Sequence, residues 1–256
     1  MTQPLSGRHA LVTGGGRGIG AAIAAELAGL GARVTLLDRT PERLAGTATA
    51  LSGEVGFVVA DTANRAEVAA AFAAARERSG DIEMLVNNAG QAASATLGRT
   101  DEALWQQMLA AILTGAYHCI HEALPAMIAR DFGRVVDVAS TAGLVGCVYC
   151  AAYCTAKHGV VGLTRALALE VATRNITVNA VCPGFTDTGL VRSAVANIRD
   201  KTGRSASEAV ASLVSHHPQR RLIGPCEVAR AVSWLCLPGS ESMTGQSIAV
   251  AGGEVT

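Results

Sequence analysis

The chain has 256 residues, of which 50% are hydrophobic and 16% charged, and its formal net charge at pH 7 is zero. This composition is typical of a compact globular protein and excludes a disordered chain, and the zero net charge gives no general attraction to nucleic acid or to a membrane surface. No apolar run approaches the ~20 residues that span a bilayer, and the N-terminal segment lacks the charged-then-apolar order of a secretory signal, so we expect a cytoplasmic protein.

Strand-like and helix-like segments alternate from one end of the sequence to the other. Strands are predicted over 9–13, 33–37, 56–60, 83–87, 134–139, 176–181 and 247–251. Helices are predicted over 18–30, 41–51, 65–78, 101–129, 153–173 and 227–237, with a less regular stretch before the last of them. This alternation predicts an α/β fold, a Rossmann-like doubly wound parallel sheet of about seven strands with helices on both faces. Because no linker or change of composition divides the chain, we expect residues 1–256 to form a single domain.

A glycine-rich turn follows the first predicted strand and leads directly into a helix. Its spacing is TGxxxGxG, with Gly14, Gly18 and Gly20, and no set of its glycines satisfies GxGxxG. Glycines allow the backbone to approach a pyrophosphate, whose charge is then stabilised at the helix N-terminus. Such turns also begin ordinary helices, so the turn by itself is weak evidence for a dinucleotide site.

An acidic residue, Asp38, ends the second predicted strand. A carboxylate at this place accepts hydrogen bonds from the adenosine ribose of a dinucleotide. It also repels a 2′-phosphate, because two unit charges ~4 Å apart interact by ~4 kcal/mol at an effective dielectric of 20, before salt screening. This favours NAD(H) over NADP(H), whereas Arg17 and Arg39, which are able to bind a phosphate, favour the opposite.

Tyr153 and Lys157 form a YxxxK motif on a predicted helix, and Ser140 ends the strand before it. Tyr and Lys four residues apart lie on one helical face. Together with the TGxxxGxG turn, the Asn-Asn-Ala-Gly segment at 87–90 and the Pro-Gly pair at 183–184, this chain resembles the single-domain branch of the short-chain dehydrogenase/reductase family over nearly its whole length. The resemblance implies an NAD(P)-dependent oxidoreductase that interconverts a secondary alcohol and a ketone.

The resemblance also implies roles for individual residues. Tyr153 is the acid or base, Lys157 lowers its pKa and holds the nicotinamide ribose, and Ser140 stabilises the charge on the substrate oxygen. The cofactor-binding residues implied are Gly14, Arg17, Gly18, Ile19, Gly20, Asp38, Asp61, Asn88, Gly90, Tyr153, Lys157, Pro183, Gly184, Thr186 and Thr188. No metal site is expected, since the CxxC at 147–150 lacks further ligands with zinc-site spacing.

One position departs from the family pattern. An Asn seven residues after a Trp in the long helix anchors a water relay to the Lys in the family, but here that position, counted from Trp105, is Ile112. An isoleucine side chain makes no hydrogen bond. We expect the helix to bulge locally, so that the backbone carbonyl at 112 binds the water instead.

The substrate is the least determined part of the sequence. The stretch 189–224, where the family has its mobile lid, contains six basic and two acidic residues, either as a solvated surface helix or as a rim for an anionic group. The substrate residues expected are Gln91, Ser140, Leu144, Cys147 and Phe185, with Ala93 and Leu190 nearby. Ala142 and Cys150 replace the His and Lys by which 3-hydroxybutyrate dehydrogenases hold a carboxylate.

We therefore favour a 3-hydroxyacyl/3-oxoacyl thioester, a class that includes coenzyme A and carrier-protein derivatives. The alternatives are a cyclic or aromatic secondary alcohol, 3-hydroxybutyrate, or a weakly catalytic dinucleotide-binding scaffold.

The two long helices, over 101–129 and 153–173, are richer in Ala, Leu and Val than a one-sided surface helix needs. Since family members pair these helices between subunits, we expect a homotetramer.

Overall fold

The computed structural model describes residues 3–215 and 217–255, in which seven strands form one sheet in the order β3-β2-β1-β4-β5-β6-β7. The strands are β1 His9–Thr13, β2 Arg33–Asp38, β3 Val55–Val59, β4 Met84–Asn87, β5 Gly133–Val138, β6 Ile176–Pro183 and β7 Ser247–Val250. Every neighbouring pair is parallel. The predicted fold class is therefore confirmed.

Helices cover both faces of this sheet. They are α1 Gly18–Gly29, α2 Pro41–Ala50, α3 Arg65–Ser79, α4 Glu102–Leu109, α5 Gly115–Arg130, α6 Ala151–Glu170, α7 Gly189–Thr202, α8 Ala206–Leu213 and α9 Pro225–Cys236. On one face Leu27 of α1 and Val232 of α9 share a core, and on the other Phe72 of α3, Ile120 of α5 and Leu167 of α6 share a second. Because both faces are covered, the central strands are buried along their whole length.

The strand order reverses between β1 and β4, which lie side by side in the middle of the sheet. In a doubly wound sheet, a crevice opens at the carboxyl ends of the strands at this point. Thr13 ends β1 and Asn87 ends β4. The glycine-rich turn and the Asn-Asn-Ala-Gly segment are thus brought together at the same edge.

The stretch that we expected to be less regular contains α7 and α8, so that expectation was wrong. Each of these helices buries a single residue, Val191 in α7 and Ala209 in α8, and the apolar periodicity that marks a core helix is therefore almost absent. A capping box between Ser205 and Glu208 begins α8. Of the helices in the described residues, none combines the length and apolarity needed to cross a membrane.

Candidate active site

The glycine-rich turn between β1 and α1 is too tight for larger residues. Gly14 and Gly18 have left-handed φ angles of 62° and 56°, which glycine adopts without strain, and a Cβ at Gly20 would lie 2.2 Å from the Gly14 carbonyl oxygen. Arg17 is the N-cap of α1 and makes no side-chain capping bond, while Ile19 packs on the core below. The first N–H groups of α1 are therefore suited to bind an anion, and the turn fits a pyrophosphate.

Asn88 joins this turn to the end of β4. Its Nδ2 donates to the carbonyl oxygens of Thr13 (3.0 Å) and Gly14 (3.2 Å). In return, the Thr13 hydroxyl accepts from the backbone N–H groups of Asn88 and Ala89, both at 2.9 Å. These four bonds fix the floor of the crevice, and Thr13 is a contributor to it that sequence analysis did not single out.

The carboxylate of Asp38, at the end of β2, faces the glycine-rich turn. A Cβ on Gly16 would lie 3.4 Å from Asp38 Oδ2, and Asp38 Oδ1 accepts from the Thr40 N–H at 3.2 Å. Arg39, which we considered as a phosphate ligand, instead donates to Asp61 Oδ2 at 3.4 Å. This end of the crevice therefore presents a carboxylate towards the turn; of the arginines nearby, Arg39 is paired with Asp61, and the Cβ of Arg43 would lie 3.1 Å from a Cβ on Gly16.

Ser140, Tyr153 and Lys157 converge at the carboxyl end of β5. Ser140 lies two residues after the end of this strand, and Tyr153 and Lys157 lie on the first two turns of α6. The Lys157 Nζ lies 5.9 Å from the centre of the Tyr153 ring and donates to the Val138 carbonyl oxygen at 2.7 Å. The structure thus brings together the three residues that the motif separates in sequence.

Burial has opposite effects on the two titratable groups of this set. It raises the pKa of Tyr153 above its ordinary value, and the Ser140 side chain beside it acts in the other direction. Burial lowers the pKa of Lys157 to about 8, while the carboxylate of Asp137 acts to raise it. A buried tyrosine needs nearby positive charge to release its proton near neutral pH, and the Lys157 Nζ lies close enough to Tyr153 to supply it.

The helix containing Ile112 bulges as predicted. Between α4 and α5, residues Ala110–Thr114 form a π-helical turn in which the Gly115 N–H donates to the Ala110 carbonyl. The Ile112 side chain is buried, and its Cγ1 would lie 3.6 Å from a Cβ on Gly90. A π-turn redirects backbone groups that an α-helix would pair internally. The bulge is confirmed, and the water bridge to Lys157 stays a prediction.

The segment after β6 closes the crevice beside the glycine-rich turn. A Cβ on Gly18 would contact Thr188 Cγ2 at 3.3 Å, which places Thr188 against the turn. The Thr186 hydroxyl donates to the Gly184 carbonyl at 3.0 Å, next to Pro183 at the end of the strand. All four residues implied by resemblance in this segment lie at the carboxyl edge of the sheet.

The residues expected to contact substrate are more exposed than this floor. Leu144 packs against the cluster that includes Tyr153, and Gln91 is half-buried. Cys147 and Leu190 are exposed, and Phe185 is 37% exposed. These side chains surround the site without enclosing it.

A buried histidine next to Phe185 pairs with a partly exposed glutamate, and sequence analysis missed both residues. His217 Nε2 lies 3.0 Å from Glu254 Oε2, and the His217 ring centre lies 5.8 Å from that of Phe185. A Cβ on Gly184 would lie 2.9 Å from Glu254 Oε2 and 2.9 Å from His217 Cε1. The pair joins the C-terminal segment to the end of the lid stretch, a contact between positions far apart in sequence that no local pattern reveals.

A second missed group lies beneath the catalytic set. Asp137 is buried in β5, where its carboxylate accepts from Asn87 Nδ2 at 2.8 Å and from the Thr164 hydroxyl at 2.7 Å. The available sequence signal is the single acidic residue within the run VVDVA at 135–139, which is otherwise apolar.

Comparison with known proteins agrees with this geometry. A sequence profile described as short chain dehydrogenase matches residues 8–199. A Streptomyces violaceoruber protein named as a ketoacyl reductase of the granaticin polyketide synthase is 40% identical over 95% of this chain and 92% of its own. The D-beta-hydroxybutyrate dehydrogenase of Cupriavidus necator is 36% identical over 94% of this chain and 95% of its own. The crystal structure of a single-residue variant of actinorhodin polyketide ketoreductase with NADPH superimposes with a TM-score of 0.94, at 38% identity and 99% coverage of both chains.

Proposed function

The chain belongs to the short chain dehydrogenase family, and from that premise we propose that it is an NAD(H)-dependent ketoreductase acting on a 3-oxoacyl/3-hydroxyacyl thioester. The observation that carries the proposal is the convergence of Ser140, Tyr153 and Lys157 beside a turn shaped for a pyrophosphate. We further propose that residues 1–256 act as one catalytic domain with a substrate lid over 189–224.

Each residue of the site has a separate task in this reaction. The bound nicotinamide supplies a hydride to the ketone carbon, or accepts one from the alcohol. Ser140 donates a hydrogen bond to the substrate oxygen and stabilises the charge that develops there. Tyr153 gives its hydroxyl proton to that oxygen in reduction and removes it in oxidation. The ammonium of Lys157 stabilises the tyrosinate form and so lowers the pKa of Tyr153.

The preference for NAD(H) is supported by the position of Asp38. Its carboxylate faces the turn where a 2′-phosphate would bring further negative charge, and Arg39 is paired with Asp61. The similarity to a ketoreductase solved with NADPH favours the other cofactor. We give more weight to Asp38, because it is a charge of this chain at the place where the two cofactors differ.

The thioester substrate is supported by the chemistry of the rim. Ala142 and Cys150 offer no cation to a free carboxylate, so 3-hydroxybutyrate, the substrate named for one relative, is the weaker candidate. Two lid arginines are already paired, Arg192 with Asp187 at 3.1 Å and Arg221 with Glu227 at 2.7 Å. Of the remaining cations of the lid, Arg199 and Lys201 lie on the exposed last turn of α7, where phosphates of coenzyme A or of a carrier arm would be attracted.

The test is to follow NADH and NADPH oxidation with acetoacetyl-coenzyme A, its N-acetylcysteamine thioester, free acetoacetate and a cyclic ketone. We expect NADH with acetoacetyl-coenzyme A to give the highest kcat/KM. The N-acetylcysteamine thioester, which lacks the phosphates, should show a higher KM at low salt. Equal KM values for the two thioesters would show that the lid cations do not bind the phosphates of coenzyme A. Preference for free acetoacetate would contradict the thioester assignment, and NADH binding without turnover of any ketone would favour the scaffold alternative.

We also propose that the protein is a homotetramer. Large apolar side chains are exposed on the outer faces of the two long helices: Tyr117 and Ile128 on α5 are 46% and 37% exposed, and Leu169 on α6 is 80% exposed. Exposed apolar side chains of this size on both helices support a subunit interface there. Sedimentation that shows only monomer at micromolar concentration would contradict the proposal.

A further inference from the structure

A carboxylate without access to solvent lies beneath the catalytic helix. The side chain of Asp137 is 0% exposed, and its two oxygens accept from Asn87 Nδ2 and from the Thr164 hydroxyl. Aspartates are almost never fully buried unless they are paired, because removing the charge from water is costly. Two neutral donors offset only part of that cost, so a positive charge nearby is expected.

That charge is on the same helical face that binds the carboxylate. Thr164 and Lys157 are seven residues apart on α6, which is two helical turns, so both side chains face β5. Thr164 reaches the Asp137 carboxylate, and the Lys157 Nζ reaches the carbonyl oxygen of Val138, the next residue in the strand. One face of α6 therefore contacts two adjacent residues of β5: Thr164 binds the carboxylate of Asp137, and the ammonium of Lys157 binds the carbonyl oxygen of Val138.

The other titratable groups around this pair carry no charge near neutral pH. Lys157 is faced by Asp137 from β5, by Cys182 from β6 and by Tyr153 one turn away on α6, and Asp137 is also faced by Cys119 from α5. Burial raises the pKa of Cys182 to about 11 and raises that of Cys119 further, so both remain neutral thiols. Of these groups, only Asp137 is able to balance the ammonium.

We propose that Asp137 is a positioning residue for the reaction, and that its buried carboxylate, held by Asn87 and Thr164, keeps Lys157 in the charged form. The proposal rests on the role proposed above for Lys157, and it assigns a reason for an acidic residue among the apolar residues Val135, Val136 and Val138 of β5. Asp137 does not contact substrate or cofactor and acts only through the lysine.

The direction of the pH effect follows from the burial of both Lys157 and Asp137. Burial lowers the pKa of Lys157 and raises that of Asp137, and each charge opposes the effect on the other. Ketone reduction uses the protonated lysine, so its rate should fall as the pH rises through the pKa of Lys157, near 8. Removing Asp137 leaves the ammonium buried without compensation, and the fall should then begin at a lower pH.

The test compares kcat/KM for ketone reduction between pH 5.5 and 9.5 in the wild type and in Asp137→Asn. An asparagine has the same shape, and its Nδ2 in the place of Asp137 Oδ2 would donate to the Thr164 hydroxyl, which keeps the Val160 carbonyl oxygen at 2.9 Å as its own acceptor. We expect the alkaline limb to move down by about one to three pH units, the usual effect of a neighbouring opposite charge. The matched control is Asp81→Asn, the same change at a carboxylate on the surface that pairs with Arg130 at 2.7 Å, and it should leave the limb in place.

A second pair of variants decides the question if Asp137→Asn does not fold. Thr164→Val removes one donor to the carboxylate without changing charge and should lower the limb by a smaller amount, and Thr164→Ser should restore it. The pH dependence of the NADH dissociation constant, followed by fluorescence, gives a second readout, because Lys157 is proposed to bind the cofactor ribose. Wild-type pH profiles in both Asp137→Asn and Thr164→Val would overturn the proposal. A wild type that binds NADH but reduces no ketone would instead contradict the proposed function, while the binding titration still tests Asp137.

Discussion

The candidate site has a floor and a rim that are built in different ways. The floor comprises the glycine-rich turn and the polar groups around Lys157, and the rim comprises the exposed side chains around the opening of the site. On the floor, Lys157 and Thr164 are buried and Asp137 is fully enclosed, and each donates or accepts a hydrogen bond. On the rim, Val148 and Tyr149 are 75% and 61% exposed. Packing and hydrogen bonds restrict which residue types fit on the floor, so the polar residues found there indicate the type of reaction. The side chains of the rim mostly contact solvent, so many residue types fit there and those present do not identify the substrate.

The same difference predicts how each region responds to mutation. A buried polar group that loses its partner costs about 1–3 kcal/mol, whereas a change at an exposed position away from such groups usually stays within about 0.5 kcal/mol. Matched substitutions on the floor and the rim therefore test the comparison directly.

The largest effect is expected for Tyr153→Phe. Phenylalanine fills the same space but has no proton to transfer, so turnover should fall by about 10²–10⁴, while the melting temperature and NADH affinity stay near those of the wild type. The matched rim variant is Tyr149→Phe, which removes the same hydroxyl from an exposed side chain and should keep most of the activity. A Tyr153→Phe enzyme with a tenth of wild-type turnover would show that another group transfers the proton.

A smaller effect is expected for Gly20→Ala, measured as NADH affinity. The new Cβ would lie 2.2 Å from the Gly14 carbonyl oxygen, so the turn must open and the dissociation constant should rise at least tenfold, equal to about 1.4 kcal/mol. On the rim, Gly146→Ala meets nothing within 4 Å and should bind NADH like the wild type. Similar dissociation constants for the two variants would mean that the turn is more adaptable than its contacts indicate.

Replacing Asp38 with serine should change cofactor preference more than overall activity. The wild type should have a higher kcat/KM with NADH than with NADPH, and Asp38→Ser should narrow this ratio about tenfold, since a half-exposed carboxylate retains only part of the ~4 kcal/mol repulsion between close charges. Asp101→Ser, at the exposed N-cap of α4, is a control for the lost charge. A tenfold wild-type preference for NADPH would show that the arginines outweigh Asp38.

The smallest effect is expected for Ile112→Asn. If the backbone of the π-turn already binds the water next to Lys157, then adding an amide should change kcat by less than about tenfold, or 1.4 kcal/mol. A high-resolution crystal structure should show that water within hydrogen-bonding distance of Lys157 Nζ and of the residue 112 carbonyl. A hundredfold rise in kcat would mean that the natural protein lacks an effective relay, and the scaffold alternative would gain support.

The sequence predicted the parts of the molecule that depend on local patterns. The strands and the tight turn at Gly14–Gly20 each depend on residue types within a few positions. The bulge at Ile112 was expected from the resemblance to the family, because this chain lacks the Asn that binds the relay water there. Sequence analysis did not give the bounds of α7 and α8, where a solvated surface helix was only one of two interpretations, because their single buried residues leave no periodicity. It also missed Asp137 and the His217–Glu254 pair, because their partners come from distant segments. Local chemistry is visible in sequence, and contacts between distant segments are not.

The π-turn at Ala110–Thr114 also has a consequence for the history of the chain. Such a turn holds one residue more than an α-helical turn, so it behaves as a single-residue insertion between α4 and α5. Because the bulge takes up the extra residue, deleting Ala111 should give one uninterrupted helix that leaves Met108 in its cluster with Ala156 and Val160 on α6. Deleting a residue from the regular part of α5 would instead rotate one side of the helix by about 100° relative to the other. Insertions and deletions are usually tolerated in surface loops, and here we expect a deletion at the π-turn to be tolerated better than one in the regular helix beside it.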